Sequence, residues 1–283
     1  YLFVLPDDHS RVVLENTPDK PHLDYINANF LDGYGHNRKY IASQGPTTHM
    51  INDFVRMIME KKCDKVVMVT KDYEMGKIKC LIYWPDEKPI TKGDITLTLK
   101  KQKIRANYTI RTILMTEVGN ILQGDSSHTF TQFHYETWPD HDVPDVDDML
   151  DFLYEVNKHQ PQSTAPQVVH CSAGVGRTGT YIAVDYCLEQ YKDTGSVDIM
   201  ACIKKLRNQR RGMVQTFAQL QFIFEALLEG LKKGDTCMYS DMFLSEYESK
   251  MKVNSTALST QFEHLKSIEV EPGEFRKVMH VQT

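Results

Sequence analysis

A cysteine, a run of small residues and an arginine stand together between an apolar strand pattern and a helical pattern. Residues 167–171 read QVVHC, an apolar run typical of a short buried strand, and residues 172–177 read SAGVGR. A helical pattern begins near Thr178. Glycine lets successive backbone N–H groups turn inward, and the positive end of the helix dipole faces the same space. The sequence therefore predicts an anion-binding loop formed by Ser172, Ala173, Gly174, Val175 and Gly176.

Two side chains of this loop have chemistry that suits phosphoryl transfer. The guanidinium of Arg177 can hold two phosphate oxygens at once, which a lysine ammonium cannot do. The same positive surroundings favour the thiolate of Cys171, and a thiolate is a nucleophile at neutral pH. The other interpretation of a cysteine at a strand end is a small buried apolar residue. His170 is predicted to hydrogen-bond locally and to orient the loop, because no partner ligands stand at zinc spacing.

Strand and helix patterns fill the chain on both sides of this loop. β-rich runs are predicted at residues 65–70, 80–84, 95–99, 108–115 and 129–138. Helices are predicted at residues 49–61, 146–159, 178–192, 197–210 and 217–232. Because strands mostly precede helices, we expect an α+β fold, a mixed twisted β-sheet flanked by α-helices. A change of composition near residue 235 predicts a domain at 1–235 and a C-terminal extension at 236–283 with weaker helical patterns at 240–251 and 257–268.

Composition and charge exclude several classes of function. The chain has 283 residues, of which 41% are hydrophobic and 25% charged, as in ordinary globular proteins. The net charge of −5 argues against a general nucleic-acid-binding surface. Six cysteines stand far apart with no C-x-x-C pair, which favours a reducing, cytoplasmic setting. No apolar run is long enough to span a membrane, and the start of the chain, without methionine, predicts a piece of a longer protein.

Residues 170–179, HCSAGVGRTG, resemble the signature loop of the tyrosine-specific protein phosphatases. Further segments resemble motifs of that family in the family's order: DYINAN at 24–29, QGP at 44–46, KC at 79–80, YWP at 83–85, WPD at 138–140 and VQT at 214–216. The resemblance covers residues 1–234, whereas a bare C-x5-R would also fit dual-specificity phosphatases or arsenate reductases. It implies the cysteine phosphatase fold and hydrolysis of phosphotyrosine in proteins, with no metal or organic cofactor.

The resemblance also implies a catalytic role for each matching side chain. Cys171 attacks phosphorus and forms a cysteinyl-phosphate, while Asp140 protonates the departing tyrosine oxygen. In the second step Asp140 accepts a proton from the hydrolytic water, which Gln215 positions. Thr178 stabilises the cysteine as it leaves as a thiolate. The alternative for Asp140 is an aspartate that only forms a turn after Pro139.

The family likeness assigns binding roles to residues outside the loop. Tyr1 flanks the substrate ring and makes the pocket too deep for phosphoserine, or else is a core aromatic. Gln219 is a second glutamine at the pocket, or else a plain exposed helix residue. Glu74 is interpreted either as a partner of Arg177 or as a solvated surface carboxylate. Three arginines form either a solvated helix face or a support behind the signature loop, and we expect a scaffold role for them and not substrate contact: Arg207, Arg210 and Arg211.

The sequence departs from the family pattern at two positions near the site. Asp142 stands where the family usually has glycine, so we expect altered closure of the loop that carries Asp140. Phe3 stands where many members have Asp or Asn, so we expect weaker peptide binding.

The tail at 236–283 is similar to the connection that precedes a second phosphatase domain in receptor-type members. This predicts the cytoplasmic first domain of a single-pass receptor, with a non-receptor enzyme as the alternative. Partners are then phosphotyrosine proteins, not nucleic acid, and the membrane is reached only through the parent's anchor. The rival function is a phosphotyrosine-binding module without catalysis.

Overall fold

A computed structural model describes residues 4–16, 23–117, 126–139, 142–159 and 164–233. The strands are β1 Arg11–Val13, β2 Tyr25–Leu31, β3 Tyr40–Ser43, β4 Lys65–Met68, β5 Tyr73–Glu74, β6 Lys77–Ile78, β7 Ile90–Lys92, β8 Ile95–Ile104, β9 Tyr108–Glu117, β10 Ser126–Tyr135 and β11 Gln167–His170. The helices are α1 Ile51–Glu60, α2 Val146–Lys158, α3 Gly176–Thr194, α4 Ile199–Gln209 and α5 Phe217–Lys233.

Nine of these strands form one mixed sheet, in the order β1-β2-β3-β11-β4-β10-β9-β8-β7. The pairs β11 with β3, β11 with β4 and β10 with β4 are parallel, and the outer pairs are antiparallel. Strand β11 therefore lies at the centre, and its last residue, His170, is in register with Ser43 and Met68. The expected mixed sheet with flanking helices is confirmed.

The central strands are buried on both faces, between two hydrophobic clusters. Val67 and Val169 belong to the cluster that includes residues of α2, α3, α4 and α5. Val66 and Val168 point the other way, into the cluster that contains α1. Because both faces are covered, β4 and β11 read as continuous apolar runs and not as alternating ones. This rigid centre carries the segment that follows β11.

Local sequence signals explain the ends of the helices near the site. Asp145 caps α2, and its side chain accepts a hydrogen bond from the Asp148 N–H at 3.0 Å. Helix α3 begins at Gly176 without a side-chain cap and ends before Gly195, which has the left-handed conformation with φ 67°. The N-terminal N–H groups of α3 thus remain for another partner.

The five predicted helices are confirmed, but the strand prediction at 80–84 is wrong. The Leu81 N–H donates to the Pro46 carbonyl and the Cys80 N–H to the Asp72 carbonyl, so this segment bonds to loops and not to a strand. Its apolar pattern has a different cause, since the rings of Tyr83 and Trp84 are buried against the core. Strands β2 and β3 were not predicted as strands, although β2 contains most of the DYINAN motif.

The compact unit that contains the sheet extends to Lys232. The predicted boundary at residue 235 and the two helical patterns beyond it lie outside the described residues and stay predictions. Within the described residues, every helix is too short or too polar to cross a membrane.

Candidate active site

The signature segment forms a tight loop between β11 and α3. Cys171 is 5% exposed, and the backbone N–H of Gly174 donates to its Sγ at 3.2 Å. Gly174 has φ 72°, and a Cβ there would lie 2.2 Å from the Ser43 carbonyl oxygen, so only glycine fits. The Gly45 N–H donates to the Ser172 carbonyl at 3.0 Å. The neighbouring strand end thereby holds the loop in place.

A buried arginine fixes the same loop from behind. Arg210 donates from Nε to the Gly174 carbonyl at 2.8 Å and from Nη2 to the Ala173 carbonyl at 3.2 Å. Its Nη1 and Nη2 also donate to Asn29 Oδ1 at 2.6 Å and Asn27 Oδ1 at 2.9 Å. Burial lowers the pKa of Arg210 to about 10, so it stays charged at neutral pH. Because these carbonyls turn towards Arg210, the loop amides are left for the opposite side.

The three arginines of the basic group therefore differ. Arg207 donates to the carbonyls of Met213 and Val214 at 2.8 and 2.6 Å, while the Arg211 side chain is 84% exposed and pairs with Asp7. The interpretation as a support behind the signature loop is confirmed for Arg210. Arg207 instead supports the segment at 213–214, and the interpretation is wrong for Arg211, whose side chain is exposed to solvent.

Arg177 is held in a fork by Glu74. Its Nη1 donates to Oε1 at 2.6 Å and its Nη2 to Oε2 at 2.9 Å, and the carboxylate also accepts from Thr70 Oγ1 at 3.1 Å. Burial alone would raise the pKa of Glu74, but the hydrogen bond and charge of Arg177 outweigh it, so that pKa lies below its ordinary value. Glu74 is therefore the partner of Arg177, and the interpretation as a solvated carboxylate is wrong.

Replacing Glu74 with Gln should loosen the Arg177 fork, because an amide offers one acceptor and no charge. We expect kcat/KM for an aryl phosphate to fall by roughly 10- to 10²-fold, since small misplacements of a binding group have such effects. Glu87→Gln removes an exposed carboxylate outside the cleft and serves as the matched control. Equal kcat/KM in Glu74→Gln and wild type would contradict a positioning role.

His170 belongs to a buried chain of hydrogen bonds. Gln132 Nε2 donates to the Tyr83 hydroxyl at 2.9 Å, which lies 2.9 Å from His170 Nε2. His170 Nδ1 lies 3.2 Å from the Cys171 carbonyl. Burial lowers the pKa of His170 to about 3, so the ring is neutral, accepts at Nε2 and donates from Nδ1. The predicted local bonding of His170 is confirmed, whereas Tyr83 and Gln132 left no sequence signal for this contact.

Two buried histidines make the fold sensitive to acid. Burial lowers the pKa of His134 to about 4, as it lowers that of His170 to about 3. Unfolded histidine has a pKa near 6.5, so between about pH 6.5 and pH 4 only the unfolded chain binds these protons. The contribution of these neutral histidines to the free energy of unfolding is therefore complete above pH 6.5. As pH falls below that value, the free energy of unfolding decreases by about 1.4 kcal/mol per pH unit for each histidine.

Urea unfolding at pH 7 and pH 5 measures this loss. His134→Gln should show a shallower pH dependence than wild type, by about 2 kcal/mol across that interval. His36→Gln changes an exposed histidine and should keep the wild-type slope. If the free energies of unfolding of wild type and His134→Gln changed with pH in parallel, the lowered pKa of His134 would be refuted.

The loop opens into a cleft of about 260 Å³. The cleft is lined by Thr70, Glu74, Lys79, Asp142, Cys171, Ser172, Ala173, Gly176, Arg177, Gln215, Thr216, Ala218 and Gln219. Gln219 is 9% exposed, and its Oε1 accepts from the Gln215 N–H at 2.8 Å, so it is not a plain exposed helix residue. Val214, the residue before Gln215, has φ 61°, a strained backbone conformation for a β-branched residue.

Some predicted site residues do not face the cleft. Thr178 is buried, and its Oγ1 has no hydrogen-bond partner among the described residues, Cys171 Sγ included. The side chain of Val175 is also buried and, like Gly174, does not line the cleft. Gly174 acts through its backbone N–H.

The segment at 138–142, which contains Asp140, lies beside the cleft. Its described residues make two contacts there. Arg177 Nη2 donates to the Pro139 carbonyl at 3.2 Å, and the Trp138 indole N–H donates to the Asp142 carbonyl at 3.0 Å. Trp138 itself is buried in the core. Asp140 itself lies outside the described residues, as do Tyr1 and Phe3.

Comparison with known proteins agrees with this architecture. The family model described as protein-tyrosine phosphatase matches residues 1–229. Receptor-type tyrosine-protein phosphatase alpha from Homo sapiens is 38% identical over 98% of this chain and 35% of its own length. Receptor-type tyrosine-protein phosphatase U from Gallus gallus is 39% identical over 92% of this chain and 18% of its own. Tyrosine-protein phosphatase Lar-like from Caenorhabditis elegans is 43% identical over 83% of this chain and 11% of its own.

A mixed sheet with a cysteine and arginine loop at the end of its central parallel strand is the architecture of the cysteine phosphatases. The chain belongs to the protein-tyrosine phosphatase family. It spans about a third or less of the length of the relatives named above.

Proposed function

We propose that this chain hydrolyses phosphotyrosine in proteins through a cysteinyl-phosphate intermediate. The observation that carries the proposal is the convergence, in one cleft, of Cys171 Sγ, the Gly174 N–H at 3.2 Å and the Glu74-anchored Arg177. An N–H that donates to sulfur stabilises negative charge on it, and helix α3 adds the positive end of its dipole. These groups suit a nucleophile beside a bound phosphate.

In the first step, Cys171 attacks phosphorus, the bond from phosphorus to the tyrosine oxygen breaks, and Asp140 gives that oxygen a proton. In the second step, water attacks the cysteinyl-phosphate, Asp140 takes a proton from the water, and the thiolate leaves. Gln215, exposed on the cleft wall, suits the positioning of that water. For Thr178 the family role requires its buried hydroxyl to turn towards the sulfur.

The loop amides and Arg177 bind the phosphate in this proposal. The carbonyls of Ala173 and Gly174 turn towards Arg210, while the Gly174 N–H donates to Cys171 Sγ. A planar guanidinium such as that of Arg177 matches two phosphate oxygens. Gln219 supports the wall by accepting from the Gln215 N–H. Tyr1 would flank the substrate ring and deepen the pocket, so that phosphotyrosine reaches Cys171 and the shorter phosphoserine does not.

The setting of the parent protein is also a proposal. Two of the relatives named above are called receptor-type, which favours a receptor as the parent protein. The resemblance of residues 236–283 to the connection between tandem domains favours the first of two domains, on the cytoplasmic side of a single-pass receptor. In that arrangement the domain comprises residues 1–235, and 236–283 lead into the next one. Its partners are phosphotyrosine proteins, and it needs no metal or organic cofactor.

A direct assay compares three substrates with the purified chain: an aryl phosphate, a phosphotyrosine peptide and the same peptide with phosphoserine. We expect turnover of the first two and at least about 10²-fold lower kcat/KM for phosphoserine. Phosphotyrosine binding without any turnover would instead identify a binding module. Equal rates on both peptides would indicate a dual-specificity enzyme.

A further inference from the structure

Asp142 brings a carboxylate to the wall of the catalytic cleft. The residue is exposed and lines the cleft together with Cys171 and Arg177. Its carbonyl accepts from the Trp138 indole at 3.0 Å, and its Oδ1 accepts from the Val143 N–H at 2.8 Å. Trp138 is buried in the core, so its hydrogen bond holds the backbone of Asp142 at the edge of the cleft.

The described residues that line the cleft offer no cation in an ion pair with this carboxylate. Among the described residues that line the cleft, Lys79 and Arg177 are positive and Glu74 and Asp142 are negative. The Glu74 carboxylate forms ion pairs with Arg177 at 2.6 Å and with Lys79 at 3.7 Å. Asp142 forms no ion pair within the described part of the chain. A bound phosphate adds about −1.5 to −2 at neutral pH. The four charges that line the cleft cancel, so the occupied cleft carries a net negative charge.

We infer that Asp142 determines substrate specificity, selecting phosphotyrosine segments that carry a basic residue within three positions of the phosphotyrosine. An extended peptide advances about 3.3 Å per residue, so these positions lie within reach of a charge on the cleft wall. A lysine or arginine there is attracted by Asp142, and a glutamate or aspartate is repelled. The inference rests on the proposed function, because it concerns the substrate of the same cleft.

The test uses phosphotyrosine peptides that differ only by Lys, Gln or Glu, scanned over the three positions on each side. At one or more positions, wild type should prefer Lys over Glu by roughly three- to tenfold in kcat/KM, as expected for exposed charge pairs. In Asp142→Asn the same ratio should fall to about one to two. Raising the salt to about 0.5 M should shrink the wild-type ratio in the same way.

Asp147→Asn is the matched control, since Asp147 is an exposed aspartate nearby that does not line the cleft. It should keep the wild-type ratio of Lys to Glu peptides. Dissociation constants of the same peptides for Cys171→Ser should show the same preference, which separates selection from turnover.

A Lys to Glu ratio near one at every position, or an unchanged ratio in Asp142→Asn, would overturn the inference. Loss of turnover on all peptides would instead contradict the proposed function, and the binding ratios would still decide the role of Asp142.

Discussion

Replacing Cys171 with serine should abolish turnover and leave phosphopeptide binding intact. The serine hydroxyl is not ionised at neutral pH, so the nucleophile is lost, and kcat should fall by roughly 10⁴-fold or more. The Gly174 N–H and the Glu74-anchored Arg177 remain in place to bind phosphate. Steady-state hydrolysis of an aryl phosphate measures the loss. Calorimetry with a phosphotyrosine peptide should give a Kd within about threefold of the wild-type value or tighter, because the serine hydroxyl adds no charge beside the phosphate.

Cys202→Ala is the matched control for this change. Cys202 is 2% exposed, lies on α4 and does not line the cleft. Its replacement should leave kcat unchanged. Turnover by Cys171→Ser at the wild-type rate would exclude the covalent mechanism.

Replacing Asp140 with alanine should slow the first chemical step by roughly 10²- to 10⁴-fold, the usual contribution of general acid catalysis. The residues on either side of Asp140 lie beside the cleft, since the Pro139 carbonyl accepts from Arg177 and Asp142 lines the cleft wall. A phenol with a low pKa leaves without much help from an acid. The loss should therefore be large for phosphotyrosine and small for an aryl phosphate with a good leaving group.

Single-turnover kinetics on the two substrates tests this dependence. Asp147→Asn serves again as the control that removes a nearby aspartate outside the cleft. If Asp140→Ala slowed both substrates equally, Asp140 would act on binding or folding and not as a proton donor.

The anion-binding loop could be predicted because its parts are contiguous. A buried strand, glycines and an arginine follow one another over residues 167–177, and each acts through its own backbone or side chain. The five helices were predicted for a similar reason, since an apolar period of 3.6 residues is a local property. The strand prediction at 80–84 was wrong because its apolar pattern comes from the buried rings of Tyr83 and Trp84. The backbone of Cys80 and Leu81 bonds to loops and not to a strand.

Glu74 and Arg210 were considered as supports of the loop from the sequence, but the partners of Arg210 and the chain that reaches His170 could not be predicted from local patterns. Glu74 and Arg177 are 103 positions apart, and Arg210 and Asn29 are 181 apart. Tyr83 and Gln132 reach His170 from different parts of the sheet. No periodicity or spacing records which distant polar groups will meet once the strands are ordered.

By itself, the sequence determined the chemistry of this protein: a cysteine and an arginine in a glycine-rich turn before a helix. Only the tertiary structure decided which distant groups hold that turn, that the Thr178 hydroxyl lacks a hydrogen-bond partner among the described residues, and that Asp142 lines the cleft. The physical reason is that a nucleophile and an anion loop are built from neighbours in the chain. Burial and charge pairing depend instead on contacts that form only when the sheet brings distant segments together.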